Sequence, residues 1–168
     1  MSYWQLLYHA VWATSEHRPF LVGDAERAIH LYVRERSLAL GASLFALGGS
    51  ADHLHIVVAI PPRLAVATFV GQIKSSASAR YNREHRPDPR FAWQEEYGAY
   101  SIDRKRLPNL IDYVERQQQL HAQGHLIPTL ERTHGDAPRL IGDSESAYYV
   151  DSRTWREEMM ALDTDLFE

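Results

Sequence analysis

At 168 residues the chain is long enough for one compact domain and an appendage, and too short for two full catalytic domains. It contains no cysteine, which excludes disulfides, thiolate nucleophiles and cysteine-held zinc, and leaves histidine, carboxylate and amide as metal donors. The formal net charge of -4 is unevenly spread: residues 1–127 carry 14 Lys and Arg against 12 Asp and Glu, and residues 128–168 carry 4 against 10. This division predicts a mildly basic core domain, 1–127, and an acidic C-terminal extension, 128–168. Any nucleic acid would be recognised by shape, pairing or a cofactor rather than by bulk charge. The first residues lack a basic start followed by a long apolar run, and no stretch approaches the roughly 18 apolar residues of a spanning helix, so a cytoplasmic protein without a membrane partner is expected.

Tyr3 to Thr14 is rich in aromatic and apolar residues and predicts a first, buried strand, closed by the charged turn Glu16-His17-Arg18-Pro19. From Asp24, a fair N-cap, Ala28, Ile29, Leu31, Tyr32, Val33, Leu38 and Leu40 recur at helical spacing until Gly41. Ser43 to Gly49 reads as a strand, and after the turn Gly49-Ser50-Ala51-Asp52 the run His53 to Ile60 is the most strand-like in the chain, so a hairpin is predicted. Pro61-Pro62 ends it. A helix follows from Leu64 to about Asn82, with Val66, Phe69, Val70 and Ile73 on one face. Tyr97 to Ile102 predicts a short edge strand. The last core element reads as one helix, with Pro108 in its first turn and Gly124 as its stop. This order is that of an α+β, ferredoxin-like or RNA-recognition-like antiparallel sheet with helices on one face. A further helix is suggested over Arg153–Leu162 in the acidic extension.

Chemistry enters with His53 and His55. Alternate residues of a strand share a face, so these imidazoles project side by side while Leu54, Ile56, Val58 and Ile60 point to the other side. The pair can hold a divalent cation, or be two surface histidines on a strand; a metal site needs a third donor. Tyr113 and Gln117, four residues apart on the last helix, share one face. A phenol with an ordinary pKa near 10 becomes a nucleophile beside a base or against a polarised phosphate, and Gln117 offers an amide oxygen. The competing reading is a core tyrosine and a solvated glutamine. Leu110, Ile111 and Val114 already supply a core-facing stripe and leave Tyr113 free to point elsewhere. His9 and His121 read first as structural residues, and otherwise as groups supporting the site.

Taken together, Asp52-His53-Leu54-His55-Ile56-Val57-Val58, Ile60-Pro61-Pro62, Gly71-Gln72-Ile73-Lys74-Ser75-Ser76, Trp93-Gln94, Tyr97-Gly98-Ala99-Tyr100-Ser101 and Tyr113-Val114-Glu115-Arg116-Gln117 closely resemble the small insertion-sequence transposases of the single-tyrosine HUH family, over roughly residues 3–125. That family includes relatives associated with repetitive extragenic palindromes. The resemblance implies a metal-dependent single-stranded DNA endonuclease and strand transferase acting in DNA transposition. It makes His53, His55 and Gln117 ligands of Mg²⁺ or Mn²⁺, and Tyr113 the nucleophile that forms a 5′-phosphotyrosine. It implies single-stranded DNA hairpins as substrates, with Arg63, Lys74, Arg80 and Trp93 as candidate contacts, and a homodimer whose tyrosine helix acts in trans or a monomer. Two other classes compete. One is a domesticated hairpin-binding protein without cleavage, against which the intact His53, His55, Tyr113 and Gln117 speak. The other is an RNA-binding module of the same topology, which would carry exposed aromatic residues on its central strands.

Overall fold

The computed structural model describes residues 3–133; the suggested helix over Arg153–Leu162 lies outside them. The elements follow the predicted order: β1 Leu7–Ala13, α1 Gly23–Ala39, β2 Ser43–Gly49, β3 His53–Ala59, α2 Val66–His85, β4 Gly98–Ser101, α3 Leu107–Glu115 and α4 Gln117–Gln123. The four strands form one antiparallel sheet in the order β2-β3-β1-β4, the arrangement of a ferredoxin-like split βαβ fold. β1 is shorter than its hydrophobic pattern suggests. Pairing begins at Leu7 opposite Ala59, because the prolines that follow β3 carry no amide proton to continue the ladder, and Tyr3, Trp4 and Leu6 are exposed. α1 also starts differently, with Val22 at the N-cap and Asp24 inside the first turn, where it ion-pairs with Arg27.

Strand alternation divides the protein into two cores. Leu54, Ile56, Val58 and Ile60 pack with Ile29, Tyr32 and Val33 of α1 and Phe69, Val70, Ile73 and Ala77 of α2. A bulge between Leu44 and Ala46 offsets β2 by one residue, so Leu47 joins this core while Ala46 and Gly48 turn to the opposite face. On that opposite face lie His53, His55 and Val57. The sheet is not open there: Leu110, Tyr113 and Val114 of α3 and Leu130 pack against Ala46 and Val57. Helices therefore cover both faces, α1 and α2 on one and α3 on the other, because Leu110 and Val114 form an apolar stripe that must itself be buried.

Two glycines set how closely this second layer lies. A Cβ on Gly48 would fall 2.0 Å from the Val114 carbonyl oxygen, and one on Gly98 would fall 2.0 Å from that of Arg132. Both positions admit backbone against the sheet because no side chain intervenes.

The single helix expected from Pro108 to Gln123 is two helices. Arg116, at φ -96° and ψ 10°, interrupts it between Tyr113 and Gln117. The bonds Arg116 N–H to Asp112 and Leu120 N–H to Arg116 persist across the break, and no proline or glycine marks it in the sequence. Gln117, the first residue beyond the break, is buried.

Candidate active site

β3 is central, paired with β1 on one side and β2 on the other, so His55 lies between Val11 and Gly48. Both histidines are buried, His55 completely and His53 at 7 % exposure. Their outer nitrogens are held. His53 Nδ1 is 2.8 Å from Asp52 Oδ1 and 3.0 Å from Ser50 Oγ, and His55 Nδ1 is 2.9 Å from Nε2 of the buried His9. These contacts aim the two Nε2 atoms at a common region, as supporting hydrogen bonds do for metal-binding imidazoles. His9 is itself held between the rings of His55 and Tyr100.

Glu131 occupies the middle of the cluster. Its Oε2 lies 3.1 Å from His53 Nε2 and 3.2 Å from His55 Nε2. Its Oε1 accepts the Tyr113 hydroxyl and, at 3.4 Å, the Gln117 amide N–H. The Tyr113 oxygen in turn accepts the Ile127 backbone N–H at 3.1 Å. Tyr113 and Gln117 thus meet through one carboxylate, although they stand on different helices. The Tyr113 ring lies in the second core and its hydroxyl in the polar cluster.

The electrostatics follow from one anion among imidazoles. Burial alone would raise the Glu131 pKa, but hydrogen bonds with His53 and His55, the charge of His55 and the Tyr113 donor outweigh it and hold the carboxyl well below its usual range. Burial likewise disfavours a charged His53, yet Glu131 and Asp52 reverse this and raise its pKa. His55, wholly buried, stays below the ordinary value despite Glu131. Burial first, then the Glu131 charge and the hydrogen bond to it, push the Tyr113 phenol upward. In this arrangement the proton stays on Tyr113.

The donor set fits a divalent cation. One ligand atom each from His53, His55 and Glu131 lie within 4.8 Å of one another, and the 3.1 and 3.2 Å separations suit neighbouring donors each about 2.1 Å from one ion. Among the described residues the Gln117 Oε1 atom is buried without a hydrogen-bond partner, a spare donor beside this group.

A family model described as "Transposase IS200 like" matches residues 2–117. The chain belongs to this family. It is 29 % identical over 75 residues to the transposase for insertion sequence element IS200 of Salmonella typhimurium, covering 45 % of this chain and 49 % of that protein. It is 25 % identical over 77 residues to the ISDra2 transposase TnpA of Deinococcus radiodurans, covering 46 % and 55 %. The chain spans about half the length of these curated relatives. Two solved structures share the fold: a putative transposase from Deinococcus radiodurans, with TM-score 0.56 and 20 % identity over 70 % of this chain and 95 % of that one, and a REP-associated tyrosine transposase bound to a REP hairpin, with TM-score 0.54 and 13 % identity over 75 % and 76 %.

Within this IS200-like chain the structure brings His53, His55, Tyr113 and Gln117 together. The other four candidates lie elsewhere, each engaged by its own protein. Arg63 donates to the Leu40 carbonyl at the end of α1, and Lys74 donates to the carbonyls of Glu95 and Glu96. Arg80 pairs with Glu35 and Glu84 and stands 4.1 Å over the Tyr32 ring. Trp93 donates to the Lys74 carbonyl and packs edge-on against Trp12 and Phe91. Lys74 and Trp93 line an open cleft of about 530 Å³ together with Gln94 and Tyr97.

Glu131 was not legible as a site residue. It lies beyond the matched segment, in a stretch whose sequence signal is bulk acidity, and nothing in its local pattern separates it from solvated carboxylates. No helix among the described residues is long and apolar enough to cross a membrane.

Proposed function

We propose that the chain is a metal-dependent single-stranded DNA endonuclease and strand transferase acting in DNA transposition, with Tyr113 as nucleophile. The observation that carries this reading is the convergence of His53, His55, Gln117 and Tyr113, from β3, α4 and α3, on the single carboxylate of Glu131. His53, His55 and Glu131 would hold Mg²⁺ or Mn²⁺, with Gln117 as the additional oxygen donor the sequence suggests. Such a cation withdraws charge from a scissile phosphate and stabilises its crowded transition state.

The protein's own groups do the rest. Asp52, Ser50 and His9 fix the imidazoles. Ile127 N–H and Glu131 orient the Tyr113 oxygen, and Glu131 Oε1, which accepts the hydroxyl hydrogen bond, takes its proton as the phenol oxygen attacks. The phenol oxygen forms a bond to phosphorus as the bond to the 3′-oxygen breaks, and that proton passes to the departing 3′-oxygen, giving a 5′-phosphotyrosine and a free 3′-hydroxyl. The phosphodiester energy is retained, so attack by another 3′-hydroxyl joins strands and regenerates the tyrosine.

Single strands folded into hairpins are the proposed substrate, in keeping with the REP hairpin held by the structural relative. A near-neutral core favours recognition of folded shape and stacked bases. Arg63, Lys74, Arg80 and Trp93 remain proposed contacts, of which Lys74 and Trp93 line the open cleft described above. The RNA-module alternative is disfavoured because α3 covers the sheet face on which bases would stack. The Tyr113 and His55 rings of one copy are 6.3 Å apart between centroids, which supports a site assembled within one chain rather than in trans. Cleavage is tested by incubating the protein with Mg²⁺ or Mn²⁺ and single-stranded hairpins labelled at either end. A covalent adduct on denaturing gels that Tyr113→Phe abolishes is expected; binding without an adduct would instead support the domesticated binder.

A further inference from the structure

The cleft between α2 and the segment that follows it lies outside the histidine cluster. One wall is a face of α2 kept low by small residues, with Gly71, Ser75 and Ser78 at helical spacing. The other is aromatic, formed by Trp93 and Tyr97, and the space enclosed is about 530 Å³. A Cβ added to Gly71 would meet nothing within 4 Å, so the cleft is open at that point. The aromatic wall is fixed in place. Trp93 Nε1–H donates to the Lys74 carbonyl at 3.1 Å, and the ring packs edge-on against Trp12 and Phe91. The Lys74 amine donates to the Glu95 and Glu96 carbonyls at 2.8 and 3.1 Å, which holds the backbone leading to Tyr97. Trp93 also bridges to Thr14, the neighbour of Ala13, which pairs with His53. This wall is therefore anchored at the end of the sheet where His53 stands.

The polar groups decide what kind of ligand this space takes. Among the described residues lining it Lys74 is the one cation, and it is 9 % exposed with its amine turned to two carbonyls. Glu95 adds a carboxylate. A phosphate entering the cleft would meet an anion and a cation already engaged. The Ser75 and Ser78 hydroxyls donate to the Gln72 and Lys74 carbonyls at 3.3 and 2.9 Å, which leaves their oxygens as acceptors. Aromatic and small-residue walls with acceptors between them suit a flat, neutral ring that carries N–H donors.

We infer that the cleft binds one unpaired nucleobase bearing an exocyclic amino group, stacked against the wall of Trp93 and Tyr97. The inference rests on single-stranded DNA as the substrate proposed above, and adds a place where the strand is read by its base and not by its phosphate. Lys74 acts there by holding the wall. Cytosine, adenine and guanine carry the amino group that the acceptors require, and thymine does not.

Fluorescence anisotropy of the full chain with short labelled single strands of deoxycytidine, of deoxythymidine and of abasic sites tests this, for the wild type, Gly71→Leu, Tyr97→Leu and Tyr97→Phe. Gly71→Leu fills the cleft where space is open, and leucine is the better helix former. The wild type is expected to bind the deoxycytidine strand about fivefold or more tightly than either other strand. Gly71→Leu and Tyr97→Leu are expected to weaken that binding about fivefold or more, while Tyr97→Phe, which keeps the ring, retains it. Circular dichroism checks that the variants are folded; should either leucine variant unfold, the other carries the comparison. Equal binding of all three strands, or wild-type affinity in a folded Gly71→Leu protein, overturns the proposal while leaving DNA as the substrate. Displacement of the strand by equimolar deoxycytidine monophosphate assigns the cleft to a free nucleotide and overturns it too. Absence of binding to every strand and to hairpins overturns the DNA reading as well.

Discussion

The Tyr113 hydroxyl donates its hydrogen bond to Glu131, a residue 18 positions further along the chain and beyond the segment matched by the family model. The same carboxylate accepts from His53 and His55 through its other oxygen. One side chain therefore couples the group proposed to attack phosphorus to the groups proposed to hold the cation, and its protonation state is felt by both.

That coupling gives acid stability a defined shape. Glu131 has a folded-state pKa below its unfolded value, so its contribution is present above the unfolded carboxyl pKa, near 4.3, and is lost as pH falls toward the folded value. His53 has a raised pKa, so its contribution is complete below the unfolded imidazole value, near 6.5, and is lost as pH rises through the folded value. The pair is thus worth most between about pH 4.5 and 6.5. Glu131→Gln is expected to lower Tm by about 5 °C in that window and by less at pH 3. Thermal unfolding of both proteins from pH 3 to 8 measures it, and a pH-independent difference would contradict the assignment.

His9 is expected to matter through His55. Replacing it by alanine leaves a cavity between two rings and an unpaired Nδ1 on a wholly buried histidine, which should cost about 2–4 kcal/mol of stability. Loss of an orienting partner should also weaken Mn²⁺ binding by roughly 10–100-fold. His9→Gln, which can still donate or accept toward His55, should recover part of the affinity. Denaturant unfolding and metal titration separate the two effects, and unchanged metal affinity in a folded His9→Ala protein would rule out the orienting role.

Gly48→Ala tests the seating of α3. The added methyl would lie 2.0 Å from the Val114 carbonyl oxygen, and backbone cannot yield as a flexible side chain would. The substitution should destabilise by about 3 kcal/mol or more and displace Tyr113 from Glu131. Urea unfolding and the protection of Tyr113 from surface nitration report on these two consequences. Normal stability would mean that α3 is not held against β2 at this point.

The arrangement within one chain has its own assay. If Tyr113 serves the histidines of its own copy, mixing Tyr113→Phe with His55→Ala gives no more adduct than His55→Ala alone. Adduct formation restored by mixing would show that the tyrosine works on a partner's site.

Much of this architecture is legible in local patterns. Alternation in His53–Ile60 places the two imidazoles on one face and the aliphatic residues on the other, and the helical spacing of Val66, Phe69, Val70 and Ile73 places α2 on the aliphatic side. What sequence does not reveal arises from contacts distant along the chain. The burial of His55 depends on α3 closing the sheet, which depends on the missing side chain of Gly48. The break at Arg116 has no propensity signal because hydrogen bonding continues across it. Glu131 is one acid among many in its segment until the fold sets it beside His53.

The placement of β3 carries a final consequence. Its backbone is bonded on both sides, to β1 and to β2, so the amides that carry His53 and His55 exchange with solvent hydrogen only through openings that dismantle the sheet. Glu131 is not part of the sheet and reaches the pair through its side chain. The histidine pair is therefore built into the part of the protein expected to open last, and the carboxylate that joins it to Tyr113 is supplied from outside that part.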